Sequence, residues 1–160
     1  MNKIQILDKQ GQFRYIQFII PGNLMSENEA KIFTVEEANE LIPLLSELIA
    51  ELQDKRDEVA EAEVEVDARE LIGVSHSPGS DQEFEQLMAK HRVLVDEFYG
   101  LVDAIHSYGC FLKDVDLGLI DFHGVLEGQV VFFCWHLGEE RINFWHEVET
   151  GYSDRKPLPD

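Results

Sequence analysis

A seven-residue repeat of apolar side chains limits what the first half of this chain can fold into. The repeat comprises Ala38, Leu45, Leu52, Val59 and Val66, with Leu41, Leu48 and Ala62 three positions after three of its members. This spacing is typical of a helix in a coiled-coil seam and predicts one about 50 Å long. Thr34 and Glu37 form a capping box, so the helix begins there. Pro43 removes one backbone hydrogen bond and predicts a kink rather than a break.

A second helix is predicted after the glycine- and serine-rich stretch 73–80. Ser80 and Glu83 form another capping box, and Gly109 offers the left-handed stop. The heptad stripe consists of Phe84, Phe98 and Ile105, interrupted by His91, with Leu87, Leu94 and Leu101 three positions after its first three places. We therefore expect helices at about 35–72 and 81–108, running antiparallel because the connection is short.

The charge balance excludes some classes of partner. The chain has 32 acidic and 13 basic residues, a net charge of -19, and thirteen of the acids lie between Glu36 and Glu70, where we expect a solvated helix face. Nucleic acid and anionic membranes bind clustered Lys and Arg, so neither is an expected partner. Cys110 and Cys134 have no CxxC spacing, which favours a reducing compartment, the cytoplasm. No signal peptide or membrane span is expected at the start of the chain.

Residues 1–30 are predicted to be an N-terminal hairpin and linker. Apolar residues alternate over 3–20 around a polar turn at 8–11, Pro21 and Gly22 end the pattern, and 23–30 are polar. Alternatively, translation begins at Met25 and residues 1–24 are an appendage. Residues 31–160 then form a single domain, a length suited to one core.

A sheet is predicted at about 110–146, because the apolar period changes from near 3.6 to 2 after Gly109. We expect three or four strands, followed by an extended tail at 147–160. Tight turns at Glu127-Gly128 and Gly138-Glu139 place Asp121 opposite Cys134, and Cys134 opposite Asn143.

This register gives the sheet two different faces. The face predicted to pack on the helices holds Ile120, Phe122, Val131, Phe133, Trp135, Ile142 and Phe144. The other holds Asp121, His123, Cys134, His136, Arg141 and Asn143 together with Phe132 and Trp145. The predicted fold is α+β: a long antiparallel two-helix hairpin packed on a small antiparallel β-meander, with an N-terminal β-hairpin extension.

The polar face offers candidate metal ligands. Asp121, Cys134 and either His123 or His136 could reach one ion, and zinc suits such a set. The closely spaced ligand pairs of recognisable zinc sites are absent, so no resident metal is favoured. A nucleophilic Cys134 beside a histidine is a further alternative. GxGxxG, P-loop, GxSxG and HExxH are absent from the sequence.

Phe132 and Trp145 favour an interaction role, because two aromatics on one sheet face expose an apolar patch unless another surface covers them. A solvated polar face would explain the charges but not these aromatics. The expected function is a cytoplasmic protein-interaction or regulatory module, with a homo-oligomer or another protein as partner. The alternative is a small metal-dependent enzyme or metal sensor around Asp121 and Cys134.

The stretches KIFTVEEANELIPLL, KDVDLGLIDF and GQVVFFCWHLGEERINFWHEVETGYSDRKPL resemble the uncharacterised bacterial family catalogued as domain of unknown function 2203, over residues 31–158. The resemblance implies a soluble bacterial protein with a helical hairpin and a small sheet, and no established activity. It marks as candidates Asp121, Trp135, Glu139, Trp145, His146 and Arg155. His123 and His136 depart from the family pattern. Glu139 and Arg155 could form an ion pair that docks the tail.

Overall fold

The computed structural model describes residues 3–7, 13–17, 31–72 and 80–159, and the chain divides into the units Met1–Lys31 and Ile32–Asp160. In the first unit, strands β1 (Lys3–Leu7) and β2 (Phe13–Gln17) pair antiparallel. The predicted turn at 8–11, the linker at 23–30 and the alternative start at Met25 lie outside the described residues.

Helices α1 (Val35–Ile72) and α2 (Ser80–Ser107) begin the second unit. The backbone N–H of Glu37 donates to Thr34 Oγ1 at 3.1 Å, and the N–H of Thr34 donates to Glu37 Oε2 at 2.9 Å. These reciprocal bonds confirm the first capping box. Helix α1 continues without a break through Pro43, and Gly109 after α2 has a φ of 87°. The predicted loop falls at 73–79, outside the described part of the chain.

Ion pairs join the two helices. Lys55 Nζ lies 2.8 Å from Glu97 Oε2, and Arg69 Nη2 lies 2.6 Å from Glu83 Oε2. The later residue of α1, Arg69, pairs with the earlier residue of α2, Glu83. This order is that of two antiparallel helices. The apolar side chains that the helices bury are Ala38, Ile42, Leu45, Ile49, Leu52, Ala62, Val66, Phe98 and Ile105.

A five-stranded antiparallel sheet follows, in the order β3-β4-β5-β6-β7. Its strands are β3 (Phe111–Asp114), β4 (Leu119–Leu126), β5 (Gln129–His136), β6 (Phe144–Glu147) and β7 (Lys156–Pro157). The α+β class is therefore confirmed. The predicted extended tail is partly wrong, because it contains a 3-10 turn (Tyr152–Asp154) and the paired strand β7.

The first tight turn is confirmed. Glu127 and Gly128 have φ values of 51° and 80°, and Leu126 pairs with Gln129 across them. Two consecutive positive φ angles match the twist of a two-residue hairpin. This turn sets Asp121 opposite Cys134, as predicted.

The second predicted turn is wrong. Strand β5 ends at His136 and β6 begins at Phe144, so Cys134 faces Phe144 rather than Asn143. Hydrogen bonds hold the longer connection: the Ile142 N–H donates to Asn39 Oδ1 at 2.8 Å, and Trp135 Nε1 donates to Glu139 O at 2.8 Å.

The register of β6 differs by one residue from the predicted one. Because side chains alternate along a strand, each side chain of β6 lies on the face opposite to the predicted one. Trp145 now pairs with Phe133 on the apolar face, while Phe144 and His146 join the face of Asp121 and Cys134.

Helix α1 contacts the segment before β4. Gln53 Nε2 donates to the carbonyls of Val115 and Asp116 at 2.8 and 3.1 Å, and Arg56 pairs with the Asp116 carboxylate. None of the helices in the described ranges is long and apolar enough to cross a membrane.

Candidate metal centre

Three side chains of metal-ligating type converge on the central strands of the sheet. Asp121 lies on β4, Cys134 on β5 and His146 on β6, and each is at most 1% exposed. One ligand atom from each lies within 4.8 Å of the other two. We call this cluster the Asp-Cys-His site. It is polar, yet it is buried among the side chains of the sheet.

The orientation of His146 follows from its neighbours. Its Nδ1 lies 2.8 Å from the carbonyl oxygen of Glu147. A carbonyl can only accept a hydrogen bond, so Nδ1 carries the proton in the neutral ring. Nε2, 3.2 Å from Asp121 Oδ2, then carries the lone pair and accepts a hydrogen bond from the Asp121 carboxyl when that group is protonated. The atom of His146 that can bind a metal therefore faces the carboxylate.

Only one of the two oxygens of the Asp121 carboxylate has a hydrogen-bond partner among the described residues. Its Oδ1 is buried and has no hydrogen-bond partner among the described residues. Burial raises the pKa of this carboxyl above its ordinary value, while the neighbouring His146 and Cys134 act in the opposite direction. A buried charge without full compensation is costly, and a proton or a cation would reduce that cost.

The thiol of Cys134 is held in its neutral form. Burial and the adjacent Asp121 carboxylate raise its pKa to about 12, although Arg155 opposes them. The ring nitrogens of His146 are hydrogen-bonded to the Glu147 carbonyl and to Asp121, and among the described residues no hydrogen bond joins His146 to the thiol. The arrangement therefore argues against the alternative of a nucleophilic cysteine.

The two histidines proposed from the sequence lie outside the Asp-Cys-His site. His123 stacks on Phe132, with ring centroids 4.4 Å apart. His136 Nδ1 lies 2.9 Å from the Leu137 carbonyl oxygen, and its Nε2 lies 3.4 Å from Glu139 Oε1. The histidine that joins Asp121 and Cys134 is instead His146. The strand pattern missed it because of the register error, whereas the family resemblance included it.

The predicted aromatic patch does not form. Phe132 is 7% exposed and lies on the face of Cys134, while Trp145 lies on the opposite face. Trp145 Nε1 donates to the Pro157 carbonyl at 3.2 Å, and the Lys156 ammonium lies 4.9 Å from its ring centroid. These two side chains therefore do not support self-association.

Glu139 and Arg155 form the ion pair that would dock the tail. Arg155 Nη1 lies 3.1 Å from Glu139 Oε1, and the two side chains are 14% and 15% exposed. The guanidinium also lies over the rings of Tyr152 and Phe144, at 4.1 and 4.5 Å. The ring of Phe144 belongs to the residue that pairs with Cys134 across β5 and β6, and the Arg155 charge opposes the rise in the Cys134 pKa. The pair therefore borders the Asp-Cys-His site.

Comparison with known proteins gives the family. No curated protein and no solved structure matches the chain. The model of one family, described as an uncharacterised conserved protein, matches residues 31–158. That range begins just before α1 and ends just after β7, and it contains every residue of the Asp-Cys-His site. The chain belongs to this family, DUF2203.

Proposed function

We propose that this protein binds a single transition-metal ion, zinc in the first place, through Asp121, Cys134 and His146. The observation that carries the proposal is the convergence of three ligand atoms, all within 4.8 Å of one another, from buried residues on three adjacent strands. A carboxylate oxygen, an imidazole nitrogen and a thiolate are the three types of ligand that zinc accepts in proteins.

The surroundings of the three ligands suit a metal. The hydrogen bond from His146 Nδ1 to a backbone carbonyl is the usual outer contact of a metal-bound histidine, since it fixes the ring and the tautomer. A divalent cation would also stabilise the Asp121 charge and displace the thiol proton of Cys134. A bound cation would therefore offset the free-energy cost of burying the Asp121 carboxylate without a partner for Oδ1.

Three protein ligands leave one position of a tetrahedral ion for water or another small ligand. Such a site occurs in metal-dependent enzymes and in metal sensors. The near-complete burial of all three side chains favours the sensor, because a catalytic ion must remain open to its substrate.

The test measures metal in protein purified without a histidine tag. Zinc-reconstituted protein is desalted, and its zinc content is determined by mass spectrometry. We expect about one zinc per chain, and a large loss in Asp121→Asn, Cys134→Ser and His146→Gln. Cys110→Ser and His136→Gln are the matched controls, because they change the same residue types outside the site.

Cobalt provides a second readout. Cobalt-loaded protein should show a thiolate-to-metal absorption band that Cys134→Ser lacks and Cys110→Ser retains. The proposal is wrong if the unmodified protein retains no zinc after reconstitution, or if the three site variants retain as much as the controls.

A second proposed role is self-association as a cytoplasmic interaction module. Exposed apolar side chains on the helices support it: Leu71 and Val64, one heptad apart on α1, are 87% and 65% exposed, and Val93 on α2 is 55% exposed. Light scattering at high micromolar concentration should then give a dimer, which Leu71→Glu weakens. A monomeric unmodified protein would exclude this role.

We also propose how the helices pack on the sheet. We take α1 and α2 as a hairpin on the apolar sheet face, supported by the contact of Phe33, just before α1, with Phe122 at 5.2 Å between ring centroids. β1 and β2 are taken as an appended N-terminal hairpin.

A further inference from the structure

The last residues of the described chain form the edge of the sheet next to β6, the strand that carries His146. After the 3-10 turn, β7 pairs with β6 over only two residues. The Leu158 N–H donates to the Asn143 carbonyl at 2.8 Å, and Pro157 accepts from Trp145. Short edge strands with few hydrogen bonds open more readily than central strands. We call residues 151–159 the tail segment.

Arg155 ties the tail segment to the site. Its guanidinium is mostly buried, pairs with Glu139 and is sandwiched between the rings of Tyr152 and Phe144. Phe144, whose ring the guanidinium covers, pairs directly with Cys134 across β5 and β6. The least exposed ion pair of the tail segment therefore lies next to a ligand of the proposed metal.

The three ligands are closed to solvent. Cys134 is 0% exposed, and Asp121 and His146 are each 1% exposed. An ion or a small reagent can reach them only if some element moves. The ladder of eight residue pairs between β4 and β5 makes those central strands the costliest to separate, whereas β7 forms two pairs.

We propose that the tail segment is a lid over the Asp-Cys-His site, and that the Arg155–Glu139 pair is the latch that keeps it closed. The identity of the site as a metal centre rests on the proposed function, whereas the lid itself does not. Opening the lid controls how fast a metal enters or leaves and how fast small reagents reach Cys134.

The experiment measures alkylation of Cys134 by iodoacetamide in full-length, metal-free protein that carries Cys110→Ser. Arg155→Ala and Glu139→Gln should each raise the rate by about tenfold or more, since loss of a charged hydrogen bond raises the population of open states. Lys156→Ala is the matched control: it removes the exposed Lys156–Glu147 pair from the same segment, and the rate should change by less than about twofold.

The direction of the change separates the lid from simple electrostatics. Loss of the Arg155 charge alone raises the pKa of the Cys134 thiol and slows alkylation. A faster reaction in Arg155→Ala can therefore come only from easier access. Circular dichroism checks that each variant is folded, and Arg155→Gln, which removes the same positive charge but keeps a longer side chain, carries the test if Arg155→Ala is not. Glu139→Gln removes a negative charge, which by itself favours the thiolate, so it does not serve for this separation.

A second arm follows zinc transfer from loaded protein to a colorimetric chelator. Arg155→Ala and Glu139→Gln should each release zinc about tenfold faster than Lys156→Ala, as for alkylation. Alkylation rates in the latch variants that equal the Lys156→Ala rate would overturn the lid. Failure of the unmodified protein to load zinc would instead overturn the metal function and leave the alkylation result valid.

Discussion

At the scale of single residues, half-buried His123 is a polar side chain beside the site whose burial destabilises the fold. Its Nδ1 has no hydrogen-bond partner among the described residues, and its ring packs against Phe111 and Phe132. Burial lowers its pKa, with Lys113 acting in the same direction and Asp121 opposing them. An apolar ring should therefore suit this position better.

We expect His123→Phe to raise the thermal midpoint, and to raise it more at pH 5.5 than at pH 7.5. A histidine whose folded pKa is lowered takes up its proton first in the unfolded state, so the unmodified protein loses stability as pH falls through about 6.5. The variant lacks that loss. His123→Leu is the control, because it removes the titration and also the ring stacking. An equal gain at both pH values would contradict the explanation.

The variant Asp121→Asn tests whether Asp121 is a metal ligand or only a carboxylate that stabilises the fold. The asparagine amide can donate to the lone pair on His146 Nε2, so the hydrogen bond between these positions survives in metal-free protein. We expect the free energy of unfolding without metal to stay within about 1 kcal/mol of the unmodified protein. Urea denaturation in the presence of a chelator measures it. A loss of about 1 to 3 kcal/mol together with intact zinc binding would show that Asp121 only satisfies local donors.

The sequence predicted part of the site and could not predict the rest. The pair Asp121 and Cys134 follows from a two-residue turn whose glycine is plain in the sequence. His146 depends on the register of β6, which is fixed partly by a hydrogen bond between Asn39 and Ile142, 103 positions apart. No local pattern reports such a contact.

At the scale of elements, two glycines differ in what surrounds them. A Cβ on Gly124 in β4 would lie 2.2 Å from the Phe133 ring, whereas one on Gly100 in α2 would meet nothing within 4 Å. The Phe133 ring therefore occupies the space that a side chain at 124 would need.

Gly124→Ala should destabilise the protein by about 1 to 3 kcal/mol, because the ring must leave its packed position. Gly100→Ala is the matched control and should stabilise by about 0.5 to 1 kcal/mol, since alanine loses less entropy in a helix. Denaturant unfolding of both variants checks this. An unchanged Gly124→Ala would mean that Phe133 can move at little cost.

The helices were the more predictable elements. A capping box acts over three residues, and both of its hydrogen bonds form at Thr34 and Glu37. The sheet depends on longer connections: β7 pairs with β6 through a tail whose prolines and glycine gave no strand pattern. Local chemistry thus specifies the helix start, and tertiary contacts specify the last strands.

At the scale of the whole molecule, the net charge of -19 opposes compaction. Metal-free protein in a chelator should melt at a higher temperature in about 150 mM than in about 10 mM sodium chloride, because salt screens repulsion beyond about 8 to 10 Å. Salt also weakens exposed pairs such as Lys55 with Glu97, but each of these contributes only about 0 to 1 kcal/mol. Calorimetry measures the shift, and a falling midpoint would show that attractive pairs outweigh the repulsion.

Phe33 lies along the part of the β4 edge that β3 is too short to cover. β3 pairs with β4 only as far as Asp121, and beyond it the Phe33 N–H donates to the His123 carbonyl at 2.8 Å while Phe33 bridges Gly124 in parallel. An uncovered strand edge is a template for another chain. The segment leading into α1 therefore shields β4 from edge-to-edge aggregation, and a chain trimmed to begin after Phe33 would expose backbone groups on which β4 of a second molecule could dock.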